Sequence, residues 1–180
     1  MTDQEIIARI KSGEESAFRE LIRRYESRIA ATIFGILGKC PEAEDVGQET
    51  FIRFYKNIKQ FRMESTISTY LTRIAINLSY NELKRRKRKN SMFTEYTPKV
   101  ERVSSKLTGE KEPEYDEIHN AIKKLPQKLQ SVIVLRLKSG YSTAETSQIL
   151  NIPEGTVLSR LSRALQKLRV ILTPIEGEVI

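Results

Sequence analysis

Between Phe18 and Leu37, the apolar side chains Phe18, Leu21, Ile22, Tyr25, Ile29, Ile33, Ile36 and Leu37 recur three or four positions apart. That spacing gathers them on one stripe of an α-helix and would scatter them over both faces of a strand. A long helix with one apolar stripe needs other helices to cover it, and the flanking sequence supplies them. Ile6, Ile7 and Ile10 mark a short amphipathic helix that Thr2 or Asp3 caps and Ser12-Gly13 ends. Gly38 and Pro41 break the long helix. Val46, Thr50, Phe51, Phe54 and Ile58 define a third helix, and residues 62–66 form a loop. Tyr70, Leu71, Ile74, Ala75, Leu78 and Leu83 define a fourth, which runs into the basic residues 84–89. No segment alternates apolar and polar residues as a half-buried strand does.

Residues 91–115 lose this periodicity. They are rich in Ser, Thr, Lys and Glu, with Pro98 and Pro113 as breakers, and read as a linker. Helical spacing returns with Ile118, Ile122 and Leu125, and again with Leu129, Val132, Ile133, Leu135 and Leu137 after a first-turn Pro126. Gly140 ends that helix. Ser142-Thr143-Ala144-Glu145 is a capping box opening the next. Asn151-Ile152-Pro153 is a tight turn, and a final helix from Glu154 to Ile171 turns Val157, Leu161, Leu165 and Leu168 to one side. The expected fold is all-α, with two small helical domains, 1–90 and 116–180, joined by a flexible linker, 91–115.

A helix, a three-residue turn and a longer polar helix make a helix-turn-helix, whose second helix enters the DNA major groove with its N-terminal end leading. Thr156, Ser159, Arg160, Ser162 and Arg163 are the polar side chains near that end. Arg bonds guanine bidentately, and Ser or Thr bonds bases or phosphates. The bland alternative is a helical hairpin with a solvated polar face. Charge favours a polyanion. Residues 1–90 carry 18 basic and 12 acidic side chains, 91–115 carry 4 and 5, and 116–180 carry 9 and 6, giving the total of +8. Two basic segments flank a weakly acidic connector, which suits nucleic acid or an anionic membrane surface. No apolar run approaches the roughly 20 residues of a membrane span. The N-terminus lacks a signal-peptide core, so a cytoplasmic protein is expected. One cysteine, Cys40, excludes an internal disulfide and a multi-cysteine metal site, and reads as a small buried residue. The single histidine, His119, reads as a helix-surface residue. Asp45 and Glu49 share a helix face and could share a metal, but other ligands are lacking. No cofactor, metal site or catalytic constellation is expected, and no small-molecule substrate.

The ordered motifs resemble extracytoplasmic-function (ECF) sigma factors of bacterial RNA polymerase. The segment from Leu125 through Pro126, Leu129 and Val132 to Arg136 resembles the opening of their C-terminal domain. The segment from Ile152 through Thr156, Val157 and Arg160 to Ala164 resembles their promoter-reading helix. Asp45-Val46-Gly47-Gln48-Glu49-Thr50-Phe51 is similar to their polymerase-docking motif, and Tyr70-Leu71-Thr72-Arg73-Ile74-Ala75-Ile76-Asn77 to their strand-opening helix. The resemblance covers nearly the whole chain in the family's order.

It implies that Asp45, Gln48 and Glu49 meet the β′ clamp helices of core RNA polymerase, with the β subunit also in contact. It further implies that Phe61, Arg62, Ser65, Tyr70, Arg73, Asn77 and Asn81 hold the unpaired −10 strand, with Arg85 and Arg86 on phosphates. Thr156, Ser159, Arg160, Ser162 and Arg163 would read the −35 element. Promoter DNA and an anti-sigma factor are the further implied partners. The aromatics Phe61 and Tyr70 have a plain alternative as core residues. Some positions depart from the family. Tyr70 stands where Trp is usual, Gly47 where a larger residue is usual, Leu158 where Lys or Arg is common, and Thr146 where an apolar residue is common. The competing reading is a conventional helix-turn-helix regulator with a helical sensor domain, which leaves the motifs at 45–51 and 70–77 unexplained. An enzyme acting on nucleic acid and a basic surface-binding protein are weaker alternatives.

Overall fold

The computed structural model describes the backbone of residues 1–94 and 113–173, and the side chains of 1–91 and 117–173. All regular elements there are helical: α1 (Asp3–Lys11), α2 (Glu15–Leu37), α3 (Pro41–Lys56), α4 (Ile67–Thr94), α5 (Pro113–Lys123), α6 (Gln127–Ile133), α7 (Thr143–Leu150) and α8 (Glu154–Leu172). A single 3-10 turn, Ile58–Gln60, follows α3, and a π-helical turn, Val134–Lys138, continues α6.

Thr2 opens α1 with a complete capping box to Glu5. The stripe of α2 is buried against α3 and α4. Leu21, Ile29, Ile33 and Ile36 meet Phe54, Leu71 and Ala75 in a core that excludes solvent. Each such Leu, Ile or Phe contributes roughly 1.5–3 kcal/mol by burial. Gly38, at φ +83°, ends α2 in a backbone conformation that a side chain rarely adopts. The second domain packs α6 and α7 against α8. Ser142 and Glu145 form the expected capping box on α7. Asn151 ends α7 in the left-handed conformation and sets the tight turn into α8.

The sequence-based boundaries shift in places. Helix α4 runs on to Thr94 and α5 begins at Pro113, so both ends of the expected linker are helical. Its remainder, 95–112, lies outside the described residues. Pro126 precedes α6 as its cap residue rather than standing in its first turn. Leu165 is 46% exposed, and Ala164 takes its place in the core beside Val157 and Leu168. At about 100° per residue, position 164 lies only some 20° from 157 around the helix, whereas 165 lies about 80° away. Leu137 is 59% exposed because the chain leaves α-helical phase at the π turn. There Ser139 donates its N–H to the Val134 carbonyl five residues back, at 2.9 Å. Cys40 is half-buried rather than a core residue, and its sulfur accepts a hydrogen bond from the Arg86 guanidinium at 2.9 Å. His119 is also half-buried, and its Nε2 packs against Gly38.

The two domains pack against each other. Gly35 of α2 meets Val134 of the π turn so closely that a Cβ at position 35 would lie 2.5 Å from the Val134 Cγ1. Tyr141, after the turn, is buried beneath the Arg28 guanidinium, which sits 4.7 Å from its ring centroid.

Candidate nucleic-acid interface

Helix α8 divides into two faces. Val157, Ala164 and Leu168 are buried, and Thr156, Arg160 and Leu161 are half-buried. Leu158, Ser159, Ser162 and Arg163 are exposed and adjoin one another at helical spacing. Thr156 gives its carbonyl to the Ser159 hydroxyl at 3.1 Å. Leu158 is 55% exposed, an apolar side chain in the middle of a polar face. Such a face presents one guanidinium, two hydroxyls and an apolar side chain that can meet a thymine methyl.

The residues expected to hold a single strand lie on the loop 62–66 and on α4. The loop passes through Met63 at φ +58°, a left-handed conformation that is strained for a side chain of this size. Arg62 is exposed and Ser65 half-buried. Thr66 caps the start of α4, its hydroxyl accepting the Thr69 N–H at 3.1 Å. Phe61 is only 6% exposed, and its ring packs against Phe54 and Tyr70 with centroids 5.7 and 5.0 Å away. In this arrangement Phe61 belongs to the core, while Tyr70 is half-buried. Asn77 and Asn81 are exposed one turn apart on α4.

Arg73 is held differently. Its Nη2 donates to the Gln148 carbonyl at 2.5 Å and its Nε to the Ile149 carbonyl at 3.3 Å, at the C-terminal end of α7. Arg73, Asn77, Lys128, Asn151 and Arg160 line one cleft of about 900 Å³ between the domains. The structure therefore gathers members of the two expected DNA surfaces at a single opening. In the basic run, Lys84, Lys87, Arg88 and Lys89 are exposed. Arg85 is clamped by Glu82 at 2.7 Å, and Arg86 bridges Glu82, Glu42 and Cys40. These two hold Glu82 below the usual carboxylate range, Arg85 the more strongly.

In the first domain, Asp45 and Gln48 stand exposed on α3, and Glu49 is half-buried in an ion pair with Arg53 at 2.7 Å. Beside them runs an apolar groove of about 480 Å³ between α2 and α3, lined by Phe18, Ile22, Phe34, Gly47, Phe51 and Ile52. Gly47 keeps this groove open, because only Ile33 lies within contact of the space a Cβ would fill. Among the described residues no group of three or more His, Cys, Asp or Glu could hold a metal ion. No described helix is long and apolar enough to cross a membrane.

Sequence reasoning missed the groove, whose signal was the small residue in an otherwise bulky docking motif. It also missed Tyr80 and Tyr141. Tyr80 donates to the Gln127 carbonyl at 3.2 Å and meets the Ser131 hydroxyl at 2.9 Å, and burial pushes its phenol up to about 12. The Tyr141 hydroxyl lies 2.6 Å from that of Thr72 and 3.1 Å from that of Ser68.

Comparison with known proteins agrees with this layout. Residues 21–89 match the family described as Sigma-70 region 2, and residues 115–168 match Sigma-70, region 4. The ECF RNA polymerase sigma factor SigW of Bacillus subtilis (strain 168) is 35% identical over 173 residues, covering 91% of this chain and 92% of that relative. An ECF RNA polymerase sigma-E factor of Haemophilus influenzae is 32% identical over 192 residues and covers 97% of each chain. In fold, the chain is similar to CnrH, solved in complex with the cytosolic domain of CnrY. The TM-score is 0.73 at 24% identity, over 94% of this chain and 96% of that one. Two regions matched in order, and relatives above 30% identity across nearly the full length, leave one conclusion: the chain belongs to the ECF family of RNA polymerase sigma factors.

Proposed function

We propose that this chain binds core RNA polymerase and directs it to specific promoters, and that it performs no catalysis itself. The observation that carries the reading is the order of its surfaces along one chain. An exposed acidic face on α3 precedes the amide- and Arg-bearing face of α4, and a helix-turn-helix with an exposed polar reading face follows. A conventional regulator has no use for the first two. Asp45, Gln48 and Glu49, beside the apolar groove, would dock on the β′ clamp helices, with the β subunit also in contact. Acidic and amide groups around an apolar centre suit a basic, amphipathic helical partner.

Tyr70, Arg73, Asn77 and Asn81, with Arg62 and Ser65 from the loop, would hold the unpaired −10 strand, where amide groups read base edges and an aromatic ring stacks. Phe61 supports Tyr70 from the core. Lys84, Lys87, Arg88 and Lys89 are the solvated phosphate contacts, a sequence-independent contribution, and Arg85 and Arg86 join them once their carboxylate partners release them. Ser159, Ser162 and Arg163, flanked by Thr156 and Arg160, would read the −35 element. The division of labour is 1–90 for polymerase and −10 contacts, 91–115 as linker and 116–180 for the −35 element. The protein works in the cytoplasm, where polymerase and promoter are, and an anti-sigma factor holds it in check.

The test is transcription by reconstituted core polymerase with and without the chain, mapping the 5′ ends of the products. Start sites that appear only with the chain, and that share −10 and −35 sequences, are expected. Tight, specific duplex binding by the free protein with no effect on polymerase would refute the reading.

A further inference from the structure

Many arginines of this protein have a carboxylate close by. Arg9 pairs with Glu14, Arg24 with Asp3, Arg53 with Glu49, and Arg85 and Arg86 with Glu82. The cleft of about 900 Å³ between the domains is different. Arg73 lines it from α4, Lys128 from α6 and Arg160 from α8, and no Asp or Glu stands among the residues around it. Among the described residues, none of these three cations forms an ion pair. Arg160 is half-buried, so part of its charge is held away from water with no opposite charge beside it. A cleft lined by one sign of charge focuses the field and draws in counter-ions.

The Arg73 guanidinium is fixed in advance. Its Nη2 and Nε donate to the Gln148 and Ile149 carbonyls, and its remaining N–H donors are left for a ligand. A group already held in place lowers the ordering cost of binding. The same two bonds offset the negative, carbonyl end of α7, which would otherwise repel an anion. The rest of the lining suits a flat organic group. Ile76 and Ile149 are buried and Leu150 is half-buried, and the exposed amides of Asn77 and Asn151 line the same cleft. An amide offers both a donor and an acceptor, as the edge of a nucleobase requires. The volume falls within the roughly 300–1,000 Å³ of small-ligand sites.

We propose that this cleft binds a nucleoside polyphosphate, with its phosphates on Arg73, Lys128 and Arg160 and its base over Ile149 and Leu150. An inorganic anion would use the cations alone and leave the apolar lining and both amides without a role. The proposal stands on the charge and shape of the cleft and does not need the DNA roles given above to Arg73, Asn77 and Arg160.

The test is a titration of the full chain, free of polymerase, with GTP carrying a fluorescent N-methylanthraniloyl group. Saturable binding that unlabelled GTP displaces is expected. Lys128 is exposed, so Lys128→Gln spares the fold and should weaken binding about tenfold, the worth of one charge-assisted hydrogen bond. Lys56→Gln removes the same charge from an exposed position on α3 and should leave binding unchanged. Inorganic tripolyphosphate, which has no base to bury, should compete at least about tenfold less well than GTP. Unlabelled GTP should also raise the thermal unfolding midpoint of the parent chain, and raise that of Lys128→Gln much less at the same concentration. Absence of saturable binding, failure of unlabelled GTP to displace the probe, or equal weakening by Lys56→Gln and Lys128→Gln overturns the site. Tripolyphosphate matching GTP, or a short single-stranded DNA displacing the probe at lower concentration than GTP, overturns the assignment of a nucleotide.

Discussion

Replacing Thr146 by Val should stabilise the second domain. Thr146 lies on α7 with no exposed surface, and its Oγ1 is buried without a hydrogen-bond partner. Its backbone N–H is already satisfied by the Ser142 carbonyl at 2.9 Å, so the deficit is confined to the hydroxyl. A buried, unsatisfied polar group costs about 1–3 kcal/mol. Valine keeps the branched shape and nearly the same helix propensity, so the backbone contribution almost cancels. The new methyl needs slightly more room than the oxygen, which takes back a few tenths. A net gain of about 1–2 kcal/mol is expected, or roughly 4–8 °C per kcal/mol for a domain of this size. The assay is thermal unfolding of the full chain followed by circular dichroism, with urea unfolding as a check on the slope. An unchanged or lower midpoint would show that the hydroxyl has a partner in solution, such as an ordered water, and that the orphaned-oxygen reasoning is wrong.

Arg163→Ala should cost roughly 1–3 kcal/mol of discrimination among −35 variants if the guanidinium meets a base. If it meets a phosphate, all promoters should weaken alike and the salt slope should drop by about one. Transcription across a promoter panel separates the two, and an unchanged ranking at unchanged output would mean the wrong face of α8 has been put on DNA. Leu158→Arg returns a charge to the exposed centre of that face and should tighten DNA binding at low salt, losing the advantage at high salt. The backbone hydrogen bond in the Ser142 capping box, more than any charge, holds the Glu145 carboxylate below its usual range. Its folded-state value is therefore depressed, and its contribution to stability is present above about pH 4.3 and fades as pH falls through the lower, folded value. Glu145→Ala should flatten that acid limb without changing its slope near neutrality, as read from midpoints between pH 3 and 7.

Much of the fold was legible because helices announce themselves locally. The stripe of α2, the capping box at Ser142 and the turn at Asn151 depend on residues within a few positions of one another. The exposed polar face of α8 was likewise readable from spacing. What escaped notice depends on distant partners. Leu165 has the hydrophobicity of a core residue and loses its place to Ala164 only because the neighbouring helices leave room for a small side chain. For Phe61 the sequence leaves a stacking and a core reading open, and only the distant partners Phe54 and Tyr70, which enclose it, decide for the core. The opposition of Gly35 and Val134, 99 positions apart in the chain, has no sequence periodicity to betray it. Arg85 and Arg86 looked like free cations in a basic run, but Glu82 lies within one turn of both.

The π turn at Val134–Lys138 amounts to one surplus residue wound into a helix. Each residue advances an α-helix by about 100°, so this surplus sets the rotational phase of everything downstream. It is what brings Ser139 and Tyr141 round to Thr32 and Thr72. Deleting the solvated Leu137 would let the segment relax to ordinary winding and swing those side chains off their partners, with every contact residue still present in the chain. The packing of the two domains is thus written in residue count as much as in residue identity.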